Sequence, residues 1–265
     1  MKLLNGKDIA GFIQQRQVKQ VRILKQSNGI QPKLSIIVTT DNPVIDTYVG
    51  LKKRYGADIG IEVDVLRIQQ SEVESCVKKI NQDSSVHGVI IQLPLEDESE
   101  TKSILDQVSL KKDVDGLAEG ADFTPATPQA IEWLLDGYNV ALEGKRIALV
   151  GRGRLVGAPL EKLMVARGLE PVVYGRGVED LRSALLEADI VVSATGAPGL
   201  IKSSMLKNGA VAVDAGTATS DGVSVGDFAE DVYARDDLTL TPKKGGVGPL
   251  TVAALFENVI RAASA

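Results

Sequence analysis

"RIALVGRGRLVGAPLEKL", residues 146–163, runs an apolar segment into a glycine turn and then into a second apolar segment. The first reads as a buried strand and the last as a helix, with Gly151, Gly153 and Gly157 between them in GxGxxxG spacing. The usual dinucleotide fingerprint is GxGxxG, but the physical need is similar. The first glycine permits a tight turn, the second lets backbone amides approach a pyrophosphate, and the helix N-terminus faces that negative charge. Glycine turns after strands are common; the flanking strand and helix raise this one to a candidate cofactor loop. The following strand, "EPVVYG" (170–175), ends in Tyr174-Gly175-Arg176, and the first acid beyond it is Glu179. NAD-selecting loops usually place Asp or Glu at that strand end, to hold the ribose hydroxyls. Arg176, with Arg152 and Arg154 from the glycine loop, instead suits an extra 2′-phosphate, so NADP is the expected cofactor. The plainer alternative is that at least one of these arginines is a solvated loop residue.

Outward from this loop, short apolar runs alternate with helix-like stretches. "KLSIIVTT" (33–40), "IEVDVLRI" (61–68) and "HGVIIQLPL" (87–95) read as strands, with helices expected near 7–27, 46–58 and 71–83. A second series follows at 145–151, 170–175, 189–196, 210–216 and 238–242. Continuous apolar strands alternating with helices indicate parallel sheet covered on both faces. Two series imply an α/β fold of two α/β domains, the second Rossmann-like, with a cleft between them. The junction "TPATPQAIEWLLDGYNV" (124–140) offers Thr127-Pro128 as a helix start. The final stretch, 248–264, spaces Leu250, Ala253, Ala254 and Ile260 as a helix does.

The bulk numbers exclude several classes. The chain has 265 residues, 44% hydrophobic and 25% charged, as expected of a globular protein, but only 4% aromatic, so its core is aliphatic. A net charge of −5 argues against a general nucleic-acid or membrane surface. The single cysteine, Cys76, and the single histidine, His87, leave no disulfide, no cysteine metal site and no HxxxH pair. "MKLLNGKDIA" lacks an apolar signal core and no long apolar span follows, so a cytoplasmic protein is expected.

In "TYVGLKKRYGADIGI" (47–61), Tyr48 and Lys52 lie one helical turn apart on one face. Alone, the run Lys52-Lys53-Arg54 reads as a solvated charged surface. Gln92, followed by Pro94, stands at a strand's C-terminal end, and Asp113 and Asp115 occupy a turn ending in Gly116. Strand ends are where open α/β sheets bind ligands. Taken singly, Gln92 reads equally as a strand cap and Asp115 as a turn former.

Together and in order, YVxxK (48–52), GVIIQLPL (88–95), KDVDG (112–116), PxTP (125–128), GRGxxVGxP (151–159) and GGVGPLT (245–251) resemble the methylenetetrahydrofolate dehydrogenase/methenyltetrahydrofolate cyclohydrolase family. The likeness spans nearly the whole chain. It implies oxidation of 5,10-methylenetetrahydrofolate with NADP and hydrolysis of the methenyl product to 10-formyltetrahydrofolate, in one-carbon metabolism. It implies that Lys52 is the central catalytic residue, Tyr48 stacks on the folate, Gln92 contacts and tunes the lysine, and Asp115 holds the pterin. Pro94 and Gly246 are implied substrate contacts, and Gly151, Arg152, Gly153, Arg154, Gly157 and Arg176 the cofactor loop. It also implies a homodimer. A free lysine has a pKa near ~10.4 and must be desolvated or set near other cations to serve as a base; Lys53 and Arg54 are candidates for the latter. His87 is expected to be structural.

The sequence departs from the family's pattern at several places. Ile45 replaces a serine, Gly153 stands where GRS is usual, Tyr174-Gly175-Arg176 replaces Cys-His-Ser, Lys243-Lys244 replaces Val-Pro, and the loop after Gly116 is short. Lys243 and Lys244 are either solvated or drawn to cofactor or folate anions. Residues 1–121 with 250–265 are expected to form the folate-binding catalytic domain and 122–249 the NADP-binding domain. The competing readings are a monofunctional relative, a shikimate-dehydrogenase-like oxidoreductase and a non-catalytic NADP-binding protein.

Overall fold

The computed structural model describes residues 1–220 and 223–265. In chain order the strands are β1 (Lys2–Leu3), β2 (Lys33–Val38), β3 (Glu62–Arg67), β4 (Gly88–Ile91), β5 (Ile147–Val150), β6 (Val172–Tyr174), β7 (Ile190–Ser193), β8 (Val211–Asp214), β9 (Ala218–Ser220), β10 (Val223–Val225) and β11 (Thr239–Leu240). The α-helices are α1 (Gly6–Asn28), α2 (Pro43–Ile59), α3 (Val73–Gln82), α4 (Thr101–Leu105), α5 (Ala126–Gly137), α6 (Gly157–Ala166), α7 (Leu181–Leu186) and α8 (Val247–Ser264). The chain divides into two compact units. One holds Gly11–Ala126 and Val252–Ala265; the other holds Met1–Ala10 and Thr127–Thr251.

The first unit is built on a three-stranded parallel sheet ordered β3-β2-β4. β4 is buried throughout and β2 nearly so, as continuous apolar strands must be when helices cover both faces. On one face Ile37, Val89 and Ile91 pack with Val73, Val77 and Ile80 of α3 and with Ile104 and Leu105 of α4. The helix α2 has clear signals at both ends. The Asn42 side chain accepts from the Val44 amide, Pro43 opens the first turn, and Gly60 closes the helix in the left-handed conformation. Its buried stripe is Ile45, Val49, Gly56 and Ile59. The segment after α4 returns alongside β4, where Val89 N–H donates to Lys112 O at 2.7 Å. The later part of α8 closes this unit. Buried Gln17 donates to Ala253 O at 2.9 Å and to Glu257 at 3.0 Å, and accepts from the Tyr55 hydroxyl at 2.8 Å. Asn258, also buried, donates through its Nδ2 to both Val114 O and Thr124 O, at 2.9 Å each.

The second unit carries a six-stranded parallel sheet ordered β1-β11-β8-β7-β5-β6. From β5 the chain winds outward to β6 and then reverses to β7, so a topological switch point lies between β5 and β7. Ala148, Val150, Val191, Ala212 and Leu240 of the sheet share a core with Leu185, Ile201, Leu206 and Val232. Two features were not expected from the sequence. β1 pairs in parallel with β11, Lys2 opposite Thr239 and Leu3 opposite Leu240, which takes the first ten residues into this unit rather than the other. A two-residue strand is too short to show any periodicity. The antiparallel pair β9–β10 was likewise missed. The expected strands all occur, but they end sooner. Residues such as 92–95 and 215–216, expected as strand, belong to exit loops.

Asn258→Ala removes one buried and one partly buried hydrogen bond and leaves both carbonyls without that donor. It should lower the unfolding free energy by about 2–4 kcal/mol in urea denaturation followed by circular dichroism. A loss under 0.5 kcal/mol would show that water replaces the amide without cost.

Candidate active site

The residues singled out in the first unit converge at the C-terminal ends of its strands. β4 ends at Ile91, and the ladder continues one residue further because Gln92 N–H donates to Ile37 O at 2.9 Å. The Gln92 side chain is committed at both ends. Its Nε2 donates to Leu93 O at 3.0 Å, and its Oε1 accepts from Lys52 Nζ at 2.8 Å. The amide is therefore oriented with its acceptor toward the lysine. Pro94 follows a cis Leu93–Pro94 peptide and is exposed.

Lys52 is half-buried in α2, and loss of water around its amine lowers its pKa from the ordinary lysine value. The nearby Asp115 carboxylate opposes that shift by favouring the ammonium. Asp115 shows the complementary pattern: burial raises its pKa, and Lys52 pulls it down. Lys53 and Arg54 are exposed, so desolvation, rather than the adjacent cations, loosens the lysine proton. An amine of reduced proton affinity, aimed by a fixed amide and facing a carboxylate, can take and return a proton at one defined atom.

The two aspartates of KDVDG differ. Asp113 is buried and accepts from the amides of Gly116 at 3.1 Å and Ala118 at 2.8 Å, which makes it the turn former. Asp115 is the one coupled to Lys52. Tyr48 is half-buried one turn before the lysine, and Ile45, where the family has serine, is 3% exposed and part of the α2 core stripe. His87 accepts from Lys33 N–H through Nδ1 at 3.3 Å and is pushed toward the neutral form by burial, in keeping with a structural role.

The remaining candidates lie in the second unit. Gly151 has φ of 101°, and a Cβ there would come within 2.5 Å of Ala194 O. A Cβ at Gly157 would sit 2.0 Å from Gly151 O, so the first turn of α6 is packed directly on the loop. Gly153 has open space where a side chain would be. That is a cradle a pyrophosphate can enter and a side chain would obstruct. Arg152 pairs with Glu161 at 3.1 Å, while Arg154 and Arg176 are exposed loop residues. Gly246 is buried beneath Gly6, where a Cβ at Gly6 would strike its carbonyl at 1.9 Å, so packing already explains that glycine. Lys243 is engaged within the molecule. It forms an ion pair with Glu230 and sits 5.1 Å from the centre of the Tyr233 ring, whereas Lys244 is exposed.

Comparison with known proteins gives one consistent result. Residues 4–115 match the family model of the tetrahydrofolate dehydrogenase/cyclohydrolase catalytic domain, and residues 125–265 that of its NAD(P)-binding domain. The bifunctional protein FolD of Halothermothrix orenii is 35% identical over 98% of this chain and 97% of its own. The crystal structure of the bifunctional FolD enzyme of Campylobacter jejuni, 34% identical, superposes with a TM-score of 0.93 over 100% of this chain and 99% of that one. The Trypanosoma brucei dehydrogenase-cyclohydrolase, solved with NADP cofactor and an inhibitor, is 29% identical with a TM-score of 0.92, covering 99% and 97%.

Because Asp115 favours the charged lysine, Asp115→Asn should move the Lys52 pKa further down. Titration of 13C-labelled lysine by NMR reads this directly. An unchanged or raised midpoint would show that the two groups are not coupled.

Proposed function

The chain belongs to the tetrahydrofolate dehydrogenase/cyclohydrolase family, and from that premise we propose that it oxidises 5,10-methylenetetrahydrofolate with NADP and hydrolyses the methenyl product to 10-formyltetrahydrofolate. The observation that carries this reading is the 2.8 Å bond from a desolvated Lys52 to Gln92, inside the matched catalytic domain. In the hydrolytic step, water adds to the methenyl carbon and loses a proton. One carbon–nitrogen bond then opens, leaving a formyl group on the other nitrogen. Lys52 Nζ is suited to accept the water's proton and deliver it to the departing ring nitrogen. Asp115 accepts hydrogen bonds from pterin N–H groups, and Tyr48 offers a ring face.

NADP, when bound, accepts the hydride given up by the methylene carbon. Gly151, Gly153 and Gly157 would hold its pyrophosphate at the start of α6, and the open ground around Gly153 fits that group. Arg152 is taken up by Glu161; of the exposed Arg154 and Arg176, Arg176 follows the end of β6, where the ribose hydroxyls are usually read, and is the main candidate for the 2′-phosphate. The departures at Gly153 and Lys243 both fall in the unit that holds the cofactor loop, so the rival reading is a cyclohydrolase without the dehydrogenase. A shikimate-dehydrogenase-like activity would leave the catalytic-domain match over residues 4–115 without a purpose. We place the protein in the cytoplasm as a homodimer. What supports a second copy is β6, one of the two edge strands of the six-stranded sheet, which among the described residues pairs only with β5.

Absorbance assays with methylene- and methenyltetrahydrofolate separate the two activities. Lys52→Met should reduce methenyl hydrolysis on the order of 10²-fold or more while NADP binding stays nearly unchanged. Hydrolysis at the wild-type rate would remove Lys52 from the mechanism. Arg176→Ala should weaken NADP about tenfold and NAD far less, as calorimetry with each cofactor would show. Equal losses would assign Arg176 to the pyrophosphate.

A further inference from the structure

The floor beneath Gly151 is the peptide of Ala194, the first residue after β7. Ala194 N–H donates to Val150 O at 2.8 Å, and its carbonyl lies where a Gly151 side chain would be. The residues on either side of Ala194 are both held by one carboxylate. Asp227 Oδ2 accepts from Ser193 Oγ at 2.6 Å and from Thr195 N–H at 2.7 Å. Asp227 comes from beyond the β9–β10 pair and is 0% exposed, so it cannot touch a bound dinucleotide.

Asp227 is itself located by a second carboxylate. Asp214, the last residue of β8, accepts from Asp227 N–H at 3.0 Å, from Phe228 N–H at 3.0 Å and from Gly216 N–H at 2.9 Å. Asp214 N–H is fixed in turn by Thr241 Oγ1 at 2.9 Å. Each carboxylate lies against a glycine. A Cβ at Gly216 would be 2.1 Å from Asp227 Oδ1, and one at Gly226 would be 2.1 Å from Asp214 Oδ2. Among the described residues Asp227 Oδ1 has no hydrogen-bond partner, and the contacts of this side chain are made by Oδ2.

We propose that Asp227 is a positioning residue for the dinucleotide: it clamps Ser193 and Thr195 and so sets the Ala194 peptide against which the phosphate-loop glycine Gly151 turns. The inference rests on the functional reading above and adds to it a group outside the glycine loop. Displacing the Ala194 floor displaces Gly151, and misplacements of about 1 Å in such a cradle are felt strongly.

The test compares three variants in the full-length protein. Asp227→Ala removes both acceptor contacts and should raise the NADP dissociation constant about tenfold, measured by calorimetry. The KM for NADP should rise in parallel, and kcat/KM for methenyl hydrolysis, which needs no NADP, should stay within about twofold. Asp227→Asn keeps an oxygen where Oδ2 stands and places the amide nitrogen at the unpartnered position, so NADP affinity should return to within about threefold of wild type. Ser193→Ala, which leaves the Thr195 contact, covers the case in which Asp227→Ala does not fold; NADP affinity should fall a few-fold. Hydrogen exchange of the unliganded protein supplies a readout free of activity, with faster exchange at Thr195 and Gly151 in Asp227→Ala. Unchanged NADP affinity in both Asp227→Ala and Ser193→Ala would overturn the proposal, as would an equal fall in both activities with a lower melting temperature. A wild-type protein that does not bind NADP would overturn the functional reading along with it.

Discussion

A lysine amine denied most of its water is unstable as a cation, and the first unit is arranged around keeping one there. Lys52 is held by a single neutral acceptor, Gln92 Oε1, with Asp115 supplying opposite charge. The acceptor is neutral, and the carboxylate that favours the ammonium is itself pushed toward protonation by burial. Burial thus weakens the lysine's hold on its proton and strengthens the carboxyl's, which narrows the gap between the two groups and eases transfer to and from Lys52. That balance requires three elements to end at the right place. α2 must be capped and packed so that its third turn, which carries Lys52, reaches Gln92, β4 must extend by one ladder bond, and the 112–116 segment must run beside β4. Asn42 and Asp113 meet those needs through side-chain oxygens that accept from backbone amides, and Ile37 through its backbone carbonyl.

In both units candidate site residues gather at the carboxyl ends of parallel strands, and for the same reason. Strands covered on both faces are mostly apolar and keep few polar side chains, such as Ser35 in β2, so the candidate residues collect where the chain leaves the sheet. In the first unit the exits carry Gln92 and the aspartates. In the second they carry the glycine turn after β5, Ser193 at the end of β7 and Asp214 at the end of β8.

Much of this was legible in the sequence, and the limits have physical causes. Runs such as "GVII" and "IALV" announce buried parallel strands because nothing else is so continuously apolar and so short. The Tyr48–Lys52 spacing and the glycine loop were legible because helical period and φ above zero leave marks in residue choice. β1 was not, since two residues carry no period; it is recruited by β11 from across the chain. Nor could the sequence decide between cations and desolvation as the influence on Lys52. Lys53 and Arg54 are its neighbours in the chain but point elsewhere, whereas burial depends on the whole unit. Asp113 and Asp115 look alike in KDVDG, and only the amides of Gly116 and Ala118 separate turn former from charge partner. Asp227 was invisible because its partners, Ser193 and Thr195, are more than thirty residues away.

The interlock of Asp214 with Gly226 and of Asp227 with Gly216 bears on how such a chain can change over generations. Any side chain at either glycine would meet a carboxylate oxygen at 2.1 Å. Shortening an aspartate to relieve that collision would abandon the amides it holds. No single substitution at these four positions is free of penalty. A lineage can leave this arrangement only through paired replacements or through weakened intermediates. Drift in the second unit should therefore collect in its arginines, lysines and exposed loops, where Gly153, Arg176 and Lys243 already depart from the family's usual residues, while the four interlocked positions stay together.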